Sequence, residues 1–213
     1  MTVATRQPRK TQSRPTKRRI VSAASELFVR DGYLQTTVTA IARHAGVAVQ
    51  TLYLSFGSKD AILAAALDVA IAGDDEPEPV LERQWVVDVA AEKNGRIALA
   101  LVVDTAGEIV ARVQPLYSVV QRASADPELA ELLHITKRRR HETFAAVVAL
   151  LAQKPTFAPG LSVEQATAVL YALASEESYQ LLVLEQGWPE QDWREWVTET
   201  AAAQLFRRAR RSP

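Results

Sequence analysis

The stretch from Thr37 to Leu63, TVTAIARHAGVAVQTLYLSFGSKDAIL, decides how this sequence of 213 residues is interpreted. It contains two short runs with apolar residues at helical spacing, separated by the pair Ala45-Gly46. A glycine directly after a helix favours a left-handed turn, and the second run follows within a few residues. The stretch therefore predicts two short helices around a tight turn, which is a helix-turn-helix.

Working outward from this motif, apolar spacing and capping residues predict the neighbouring helices. Ile20, Ala24, Leu27 and Phe28 share one helical face, and Asp31-Gly32 ends that helix. The predicted elements are a helix over residues 17–30, a helix from residue 38 capped by Thr36 or Thr37, a helix over residues 48–55, and a helix over residues 59–72. Residues 1–15 are polar and basic with no face to bury, so they are predicted as a disordered arm.

Beyond an acidic, proline-bearing break at residues 73–79, every stretch has helical spacing. Asp126-Pro127 predicts the start of a long helix that runs to about Ala152. Ser162 with Gln165 has the spacing of a capping box, and Gly187-Trp188-Pro189 separates the last two helices. Since no strand-length alternation is found, the sequence predicts an all-α protein.

The charges are unevenly distributed although 25 basic and 25 acidic residues cancel over the chain. Residues 1–60 hold ten Lys or Arg against three acids, and the remaining residues hold 15 against 22. This asymmetry indicates a basic module joined to an acidic one, and a basic helical module is typical of nucleic-acid binding.

The composition also excludes several classes of protein. The chain has no cysteine, which excludes a disulfide scaffold, a thiolate zinc site and a cysteine nucleophile. The longest apolar run, residues 144–152, is far shorter than the ~18 residues that a membrane-spanning helix needs. The basic N-terminus is not followed by an apolar segment, so a secretory signal is not indicated. We therefore expect a cytoplasmic protein without a membrane partner.

The helix at residues 48–55 has the division of faces that a DNA-reading helix needs. Leu52 and Phe56 form its inner stripe, which leaves Gln50, Thr51 and Leu54 or Ser55 facing outward. A glutamine side chain can pair with adenine through two hydrogen bonds, and a threonine offers a methyl group to thymine or a hydroxyl to a phosphate. The alternative interpretation is a helical packing unit that never meets DNA.

The segment Thr37–Leu63 resembles the DNA-binding domain of the TetR family of bacterial transcriptional regulators. The resemblance rests on I-A, A-G-V, T-L-Y, the Phe three residues after that Tyr, and a small residue followed by Lys and an acid. It extends back through Phe28 and Asp31-Gly32-Tyr33 and covers about residues 16–64. The stretch Glu177–Trp188 is also similar to the C-terminal half of some members.

The resemblance implies phosphate contacts through Thr37, Tyr53 and Lys59. Two positions depart from the family pattern. Ala48 stands where a capping Ser is usual, so the recognition helix lacks a hydrogen bond worth about 1 kcal/mol. Leu54-Ser55 replaces bulky aromatic or His residues, so this helix does not reveal the operator sequence. The predicted DNA-binding residues are Thr37, Ala48, Val49, Gln50, Thr51, Tyr53, Leu54, Ser55 and Lys59.

The same resemblance implies a ligand-responsive homodimer, expected to be a repressor released from a pseudo-palindromic DNA operator by a small-molecule effector, with no cofactor. It implies a DNA-binding domain over residues 16–58 and an effector-binding and dimerisation domain over residues 59–213, with residues 59–72 as the linking helix. The last two long helices, about 162–186 and 189–208, are expected to form the dimer interface. Candidate interface residues are Trp193, Trp196 and Leu205, and candidate ligand contacts are Trp85, Tyr117, Phe144, Tyr171 and Tyr179.

Each of these residues also has a purely structural interpretation. The interface and ligand candidates could be intramolecular core, and the basic arm could be a solubilising tail rather than a minor-groove arm. The run Lys137–Arg140 turns through about a full circle of a helix, which favours ion pairs with Glu142 and nearby acids over one anion-binding patch. Arg207–Arg211 is interpreted as a charged C-terminus.

Two alternative functions stay open on sequence alone. Glu131 and His134 have the spacing of one half of a carboxylate-bridged di-iron site, but no second Glu-x-x-His exists. No phosphate loop or nucleophile elbow occurs either, so we expect neither a metal site nor an enzyme. The remaining alternative is a helical small-molecule-binding protein whose DNA binding is non-specific or vestigial.

Overall fold

The computed structural model describes residues 9–73 and 79–207 of the chain, with the side chains of residues 9–13 left aside. Within these ranges the protein is helical, as predicted, and its β-structure is confined to one isolated bridge between Phe157 and Phe206. The helices are α1 (Arg9–Asp31), α2 (Val38–His44), α3 (Val49–Phe56), α4 (Lys59–Ala72), α5 (Gln84–Ala91), α6 (Gly95–Arg122), α7 (Pro127–Leu151), α8 (Val163–Leu173), α9 (Glu176–Tyr179) and α10 (Glu190–Leu205). A 3-10 turn at Val80–Glu82 precedes α5, and a π-helical segment at Gln180–Glu185 follows α9.

The chain divides into two compact units. The first consists of the residues up to Ala70 together with Pro115–Leu132. The second consists of Ile71–Gln114 and the residues from Leu133 onward. The predicted break at residues 73–79 begins at Gly73, whose φ of +81° ends α4, while residues 74–78 of that prediction lie outside the described residues.

The core of the first unit is formed by the predicted inner faces of its short helices. Ile20 and Phe28 of α1, Ile41 of α2 and Leu52 of α3 are completely buried. Phe56 is half-buried, so the inner stripe of α3 is covered mainly at Leu52. Burial of these side chains stabilises the three helices, of which α2 and α3 are individually too short to persist in water.

The second unit packs around a larger apolar core. Its completely buried members include Leu99 of α6, Leu151 of α7, Leu170 of α8 and Trp193 of α10. Lys154, just beyond α7, is also buried, and its ammonium donates hydrogen bonds to the carbonyls of Val89 and Ala90, each at 2.9 Å. This lysine holds the C-terminal end of α5, where a positive charge is favoured.

The predicted start of α1 is wrong by eight residues, because the helix begins at Arg9 rather than at residue 17. Residues 9–15, which were predicted as part of a disordered arm, therefore belong to α1, and residues 1–8 lie outside the described residues. Pro15 lies inside the helix. Its fixed φ is compatible with helical geometry, so the proline costs a backbone hydrogen bond without ending the helix.

The predicted long helix over residues 162–186 is interrupted in the structure. Ser175 accepts a hydrogen bond from the Ser178 amide and donates one to the Ala172 carbonyl, both at 3.0 Å. The Ser178 hydroxyl donates to the Leu173 carbonyl at 2.6 Å. Because these hydroxyls compete for backbone groups, α8 ends at Leu173 and α9 starts anew at Glu176.

Other predicted helix ends are confirmed. Helix α4 spans Lys59–Ala72 as predicted. Ser162 and Gln165 form both hydrogen bonds of the capping box that opens α8. The Asp126 carboxylate accepts from the Glu128 amide at 2.9 Å, which supports the start of α7 at Pro127. The last helix ends earlier than predicted, at Leu205, because the chain then extends and Phe206 pairs with Phe157.

Candidate nucleic-acid interface

Helix α3 turns one face to solvent and anchors the other in the first unit. Leu52 is completely buried, whereas Gln50, Tyr53 and Leu54 are exposed. The exposed fraction reaches 82% for Leu54, which is a high value for an apolar side chain next to a core. The buried leucine fixes the rotation of the helix, and the three neighbours are therefore free to meet another surface.

Three further predicted contact residues lie at the flanks of this face. Val49, Thr51 and Ser55 are half-buried. The Ser55 hydroxyl donates to the Thr51 carbonyl at 2.7 Å, so its proton is used within the helix and its oxygen remains an acceptor.

The N-termini of α2 and α3 are capped differently. Thr37 caps α2 by accepting a hydrogen bond from the Ala40 amide at 3.1 Å, which settles the choice between Thr36 and Thr37. Thr36 is instead buried and donates to the carbonyl of Gly32 at 2.8 Å. Ala48 is the N-cap of α3 and provides no side-chain hydrogen bond, as predicted from its methyl side chain.

The ammonium of Lys59, at the start of α4, binds neighbouring groups of the first unit. Its ammonium donates to the carbonyls of Tyr33 at 2.9 Å and Thr36 at 3.1 Å, and it lies 3.9 Å from the centroid of the Tyr33 ring. Burial lowers the pKa of Lys59 and raises the pKa of Tyr33 to about 12. An ammonium has three protons. Two of them are donated to these carbonyls, so one remains for a phosphate. The sequence did not predict these hydrogen bonds between α4 and the loop that joins α1 to α2.

The candidate ligand contacts do not all fall in one unit. Trp85, Phe144, Tyr171 and Tyr179 belong to the second unit, whereas Tyr117 belongs to the first and is buried there. Phe144 and Tyr179 are buried in the core of the second unit, and Trp85 and Tyr171 pack against it. This placement agrees with the structural interpretation of these residues.

Polar partners surround two of these aromatic side chains. The Tyr179 hydroxyl donates to the Glu190 carboxylate at 2.7 Å, and burial together with this hydrogen bond raises its pKa. The Tyr171 ring faces the guanidinium of Arg140 at 4.4 Å and the ring of His141 at 5.6 Å. Both rings are thus parts of polar clusters rather than of purely apolar packing.

The basic run on α7 forms ion pairs in the second unit, as the favoured interpretation predicts. Arg140 pairs with Glu176 and Glu177, and Lys137 pairs with Glu177 at 2.9 Å. The side chains of Arg140 and Glu176 are only 12% and 6% exposed. Arg138 lies 3.9 Å from Glu142 at the surface. Arg140 and Glu176 therefore form a buried ion pair, which sequence spacing alone did not reveal.

The interface prediction is wrong for two of its three residues. Trp193 and Leu205 are completely buried within the chain, and the Trp193 indole donates to the Ser178 hydroxyl at 3.1 Å. A side chain without exposed surface cannot contact a second subunit. Trp196 is half-buried, with its ring edge-to-face with Trp188 at 6.3 Å.

The exposed apolar residues of this region lie on the preceding segment. Leu181, Leu184 and Trp188 are 56%, 55% and 37% exposed. The sequence shows that these residues are apolar. Because Gln180–Glu185 is π-helical, however, the spacing of an α-helix does not predict which face of this segment its apolar residues occupy.

Among the described residues, no group of three metal-ligating side chains is found, and Glu131 and His134 are exposed. No described helix is long and apolar enough to cross a membrane.

Comparison with known proteins agrees with the features of the first unit. Residues 20–66 match the family model of bacterial regulatory proteins of the tetR family. The fatty acid metabolism regulator protein of Bacillus subtilis (strain 168) is 46% identical over 52 residues, which are 24% of this chain and 27% of that protein. Other curated regulators of the helix-turn-helix type are matched over 20% to 65% of their length, so the alignments span less than two thirds of these relatives.

Solved structures resemble the whole described fold at low sequence identity. FadR from Bacillus subtilis in complex with stearoyl-CoA has a TM-score of 0.69 at 22% identity, covering 88% of this chain and 98% of that chain. NalD of Pseudomonas aeruginosa, the secondary repressor of the MexAB-OprM multidrug efflux pump, has a TM-score of 0.68 at 22% identity, covering 92% and 98%.

Proposed function

Because residues 20–66 match the family model of bacterial regulatory proteins of the tetR family, we propose that the chain is a DNA-binding transcriptional regulator of this family that represses from a pseudo-palindromic operator and is released by a small molecule. The observation that carries this proposal is the exposed face of α3, where Gln50, Tyr53 and Leu54 stand out beside the buried Leu52. A helix anchored in this way can enter the major groove without losing its place in the fold.

Each residue of this face and of its flanks has a proposed role. Gln50 reads a base edge, with adenine as the preferred partner, and Thr51 and Leu54 contact base methyl groups or the groove floor. The Tyr53 hydroxyl and the N-terminal turn of α2 behind Thr37 hold phosphates and set the position of the protein along the duplex. Lys59 adds at most one phosphate contact, since two of its protons are used within the first unit.

We also propose that the protein acts as a homodimer, because two recognition helices related by a two-fold axis fit a pseudo-palindromic site. The exposed apolar side chains Leu181, Leu184 and Trp188, with the half-buried Trp196, support an interface on this side of the second unit. The double substitution Leu181→Glu and Leu184→Glu should convert dimers to monomers in sedimentation experiments. Val87→Glu is the matched control, because Val87 is 55% exposed on α5. Unchanged dimers in the double variant would contradict this interface.

The effector is proposed to bind in the second unit, where Trp85, Phe144, Tyr171 and Tyr179 lie in or against the core. FadR from Bacillus subtilis, whose fold is similar, was solved in complex with stearoyl-CoA, which supports a ligand-responsive role. The aromatic rings of these residues support an apolar or aromatic effector, and the polar partners of Tyr171 and Tyr179 add groups that could fix its orientation. Release from DNA requires that the effector bind the DNA-free arrangement more tightly than the DNA-bound one.

Fluorescence anisotropy tests the proposed function directly. The protein is titrated onto DNA from the region upstream of its own gene and onto a scrambled duplex of equal length, each across a salt series. We expect binding to the first duplex to be roughly a thousandfold tighter, with an affinity that falls steeply as salt rises. Equal and weak binding to both, extended to genomic fragments, would support a small-molecule-binding protein with vestigial DNA binding instead.

A further inference from the structure

The turn between α2 and α3 is built on a left-handed glycine. Gly46 has a φ of +64°, and its amide donates to the Arg43 carbonyl at 3.2 Å. The Val47 amide donates to the Ala42 carbonyl at 2.9 Å. These two hydrogen bonds define a Schellman motif, which ends α2 and satisfies two of its last carbonyls. The carbonyls of Ala45 and Gly46 lie two and three residues beyond Arg43.

Both of these carbonyls accept hydrogen bonds from one side chain of α1. The Arg19 guanidinium donates to the Ala45 carbonyl through Nη2 at 2.7 Å and Nε at 3.2 Å. Its Nη2 also donates to the Gly46 carbonyl at 2.9 Å. A guanidinium is planar and holds its donors in a fixed fork, so it fixes the orientation of both peptide groups together. Its positive charge also lies at the C-terminal end of α2, where a cation is favoured.

The helix that follows this turn has no side-chain cap of its own. Ala48, two residues after Gly46, is the N-cap of α3 and makes no side-chain hydrogen bond. The backbone that leads into α3 is thus fixed by Arg19 at the turn, and no side chain fixes it at the first residue of the helix. Gln50 and Tyr53 follow within seven residues of Gly46, so a rotation of the turn would change the direction in which both point.

We propose that Arg19 is a positioning residue for DNA recognition: by clamping the Ala45-Gly46 turn it orients the exposed face of α3, a helix that has no side-chain N-cap. This inference rests on the proposed function for its consequence at DNA. The clamp itself is a property of the free protein. Arg19 acts through the turn and makes no DNA contact, which separates it from the phosphate-binding residues.

The salt dependence of DNA binding distinguishes a positioning residue from a phosphate contact. We expect Arg19→Gln to weaken binding to the operator about tenfold, since hydrogen bonds from a charged donor are lost, while binding to the scrambled duplex changes less than about twofold. The slope of log affinity against log salt for Arg19→Gln should match the slope of the unmodified protein, and it is compared with the slope of Arg43→Gln. Arg43 is exposed near the same turn and is the charge-matched control. Equal losses on both duplexes, with a slope reduced by ~0.9, would instead identify Arg19 as a phosphate contact and overturn the proposal.

The conservative variant separates the fork from the charge. Arg19→Lys keeps the positive charge but cannot hold two carbonyls in the same planar geometry. We expect it to recover less than half of the operator affinity that Arg19→Gln loses, on a logarithmic scale. Full recovery by lysine would mean that charge alone matters, and the positioning role would be rejected.

Restoring the missing cap provides a rescue. Ala48→Ser adds the side-chain acceptor that α3 lacks. We expect its effect on operator affinity to be at least about threefold more favourable in the Arg19→Gln background than in the unmodified protein, because the clamp already holds the helix there. Equal effects in the two backgrounds would show that Arg19 and the start of α3 are independent.

Amide hydrogen exchange without DNA separates failure of this inference from failure of the proposed function. The amides of residues 49–52 should exchange at least about fivefold faster in Arg19→Gln and return toward the original rate when Ala48→Ser is added. If the unmodified protein binds no specific DNA but these rates change as expected, the proposed function fails and the clamp is retained. Unchanged exchange rates would refute the clamp whatever the DNA result, and thermal unfolding of each variant confirms that the folded protein is measured.

Discussion

The two units differ in where they place a pair of opposite charges. In the first unit, the polar side chains of Thr37 and Lys59 bind backbone groups at turns and helix ends, so one helix face stays free. In the second unit, Arg140 and Glu176 pair with each other away from water. A bundle gains little stability from a buried ion pair compared with apolar packing. The difference teaches that the first unit is arranged to hold a rigid surface, whereas the second keeps charge inside, where a small conformational change or a ligand has the largest electrostatic effect.

The strongest test of this difference removes the buried side chain that anchors α3 in the first unit. Leu52→Ala removes a completely buried side chain and should lower the free energy of unfolding by about 2–5 kcal/mol, with loss of DNA binding. Denaturant unfolding measures the change. Leu54→Ala is the control on the same helix, since Leu54 is 82% exposed, and should change stability by less than about 0.5 kcal/mol. Equal effects of the two variants would show that α3 is not anchored through Leu52.

A second variant tests the internal charge of the other unit. Glu176→Gln leaves Arg140 with Glu177 as its ion-pair partner and should lower the free energy of unfolding by about 2 kcal/mol, because a buried cation loses half of its compensation. Glu142→Gln, which alters the exposed pair with Arg138, should cost less than about 0.5 kcal/mol. A cost for Glu176→Gln as small as that of Glu142→Gln would mean that water reaches the buried pair.

The smallest expected effect is on the pH dependence of stability, through Tyr33 of the first unit. Burial raises the pKa of Tyr33 from 10.0 to about 12, so the folded protein keeps a proton that the unfolded chain loses first. Its contribution to stability is therefore complete below pH 10 and is lost as pH rises from 10 to about 12. Tyr33→Phe should lose less stability than the unmodified protein across this interval, with nearly equal stability at neutral pH.

Unfolding midpoints recorded at intervals between pH 9 and 12 provide the measurement for Tyr33→Phe. Tyr53→Phe, on the exposed face of α3, is the control for the loss of a tyrosine hydroxyl. If Tyr33→Phe keeps the alkaline dependence of the unmodified protein, other groups account for the alkaline loss of stability.

The helix-turn-helix was predictable because its signals are local. Gly46 ends α2, Thr37 caps it, and Leu52 marks the inner face of α3, so each boundary depends on residues only a few positions apart. The division of α3 into a buried and an exposed face followed from the same spacing. The engagement of Lys59 was not predictable, since its carbonyl partners at Tyr33 and Thr36 lie 26 and 23 residues away.

The second unit was less predictable because its decisive contacts are distant or depend on competition. The helix break at Ser175 results from hydroxyl groups that outcompete backbone hydrogen bonds, which apolar spacing does not register. Trp193 and Leu181 are both apolar residues near the C-terminus, yet one is completely buried and the other is 56% exposed. Only the three-dimensional packing distinguishes an internal tryptophan from an exposed leucine.

The lysine that holds the end of α5 also bears on the order in which the chain folds. Its hydrogen bonds join residues 64 and 65 positions apart, whereas the Arg19 contacts span 26 and 27 positions. Longer loops cost more entropy to close, and contacts between distant residues slow folding. We therefore expect the helix-turn-helix to become protected early after dilution from denaturant, and α5 to dock late, once α7 is complete. On a ribosome, the motif is synthesised long before Lys154, so its native contacts can form while the second unit is still being made.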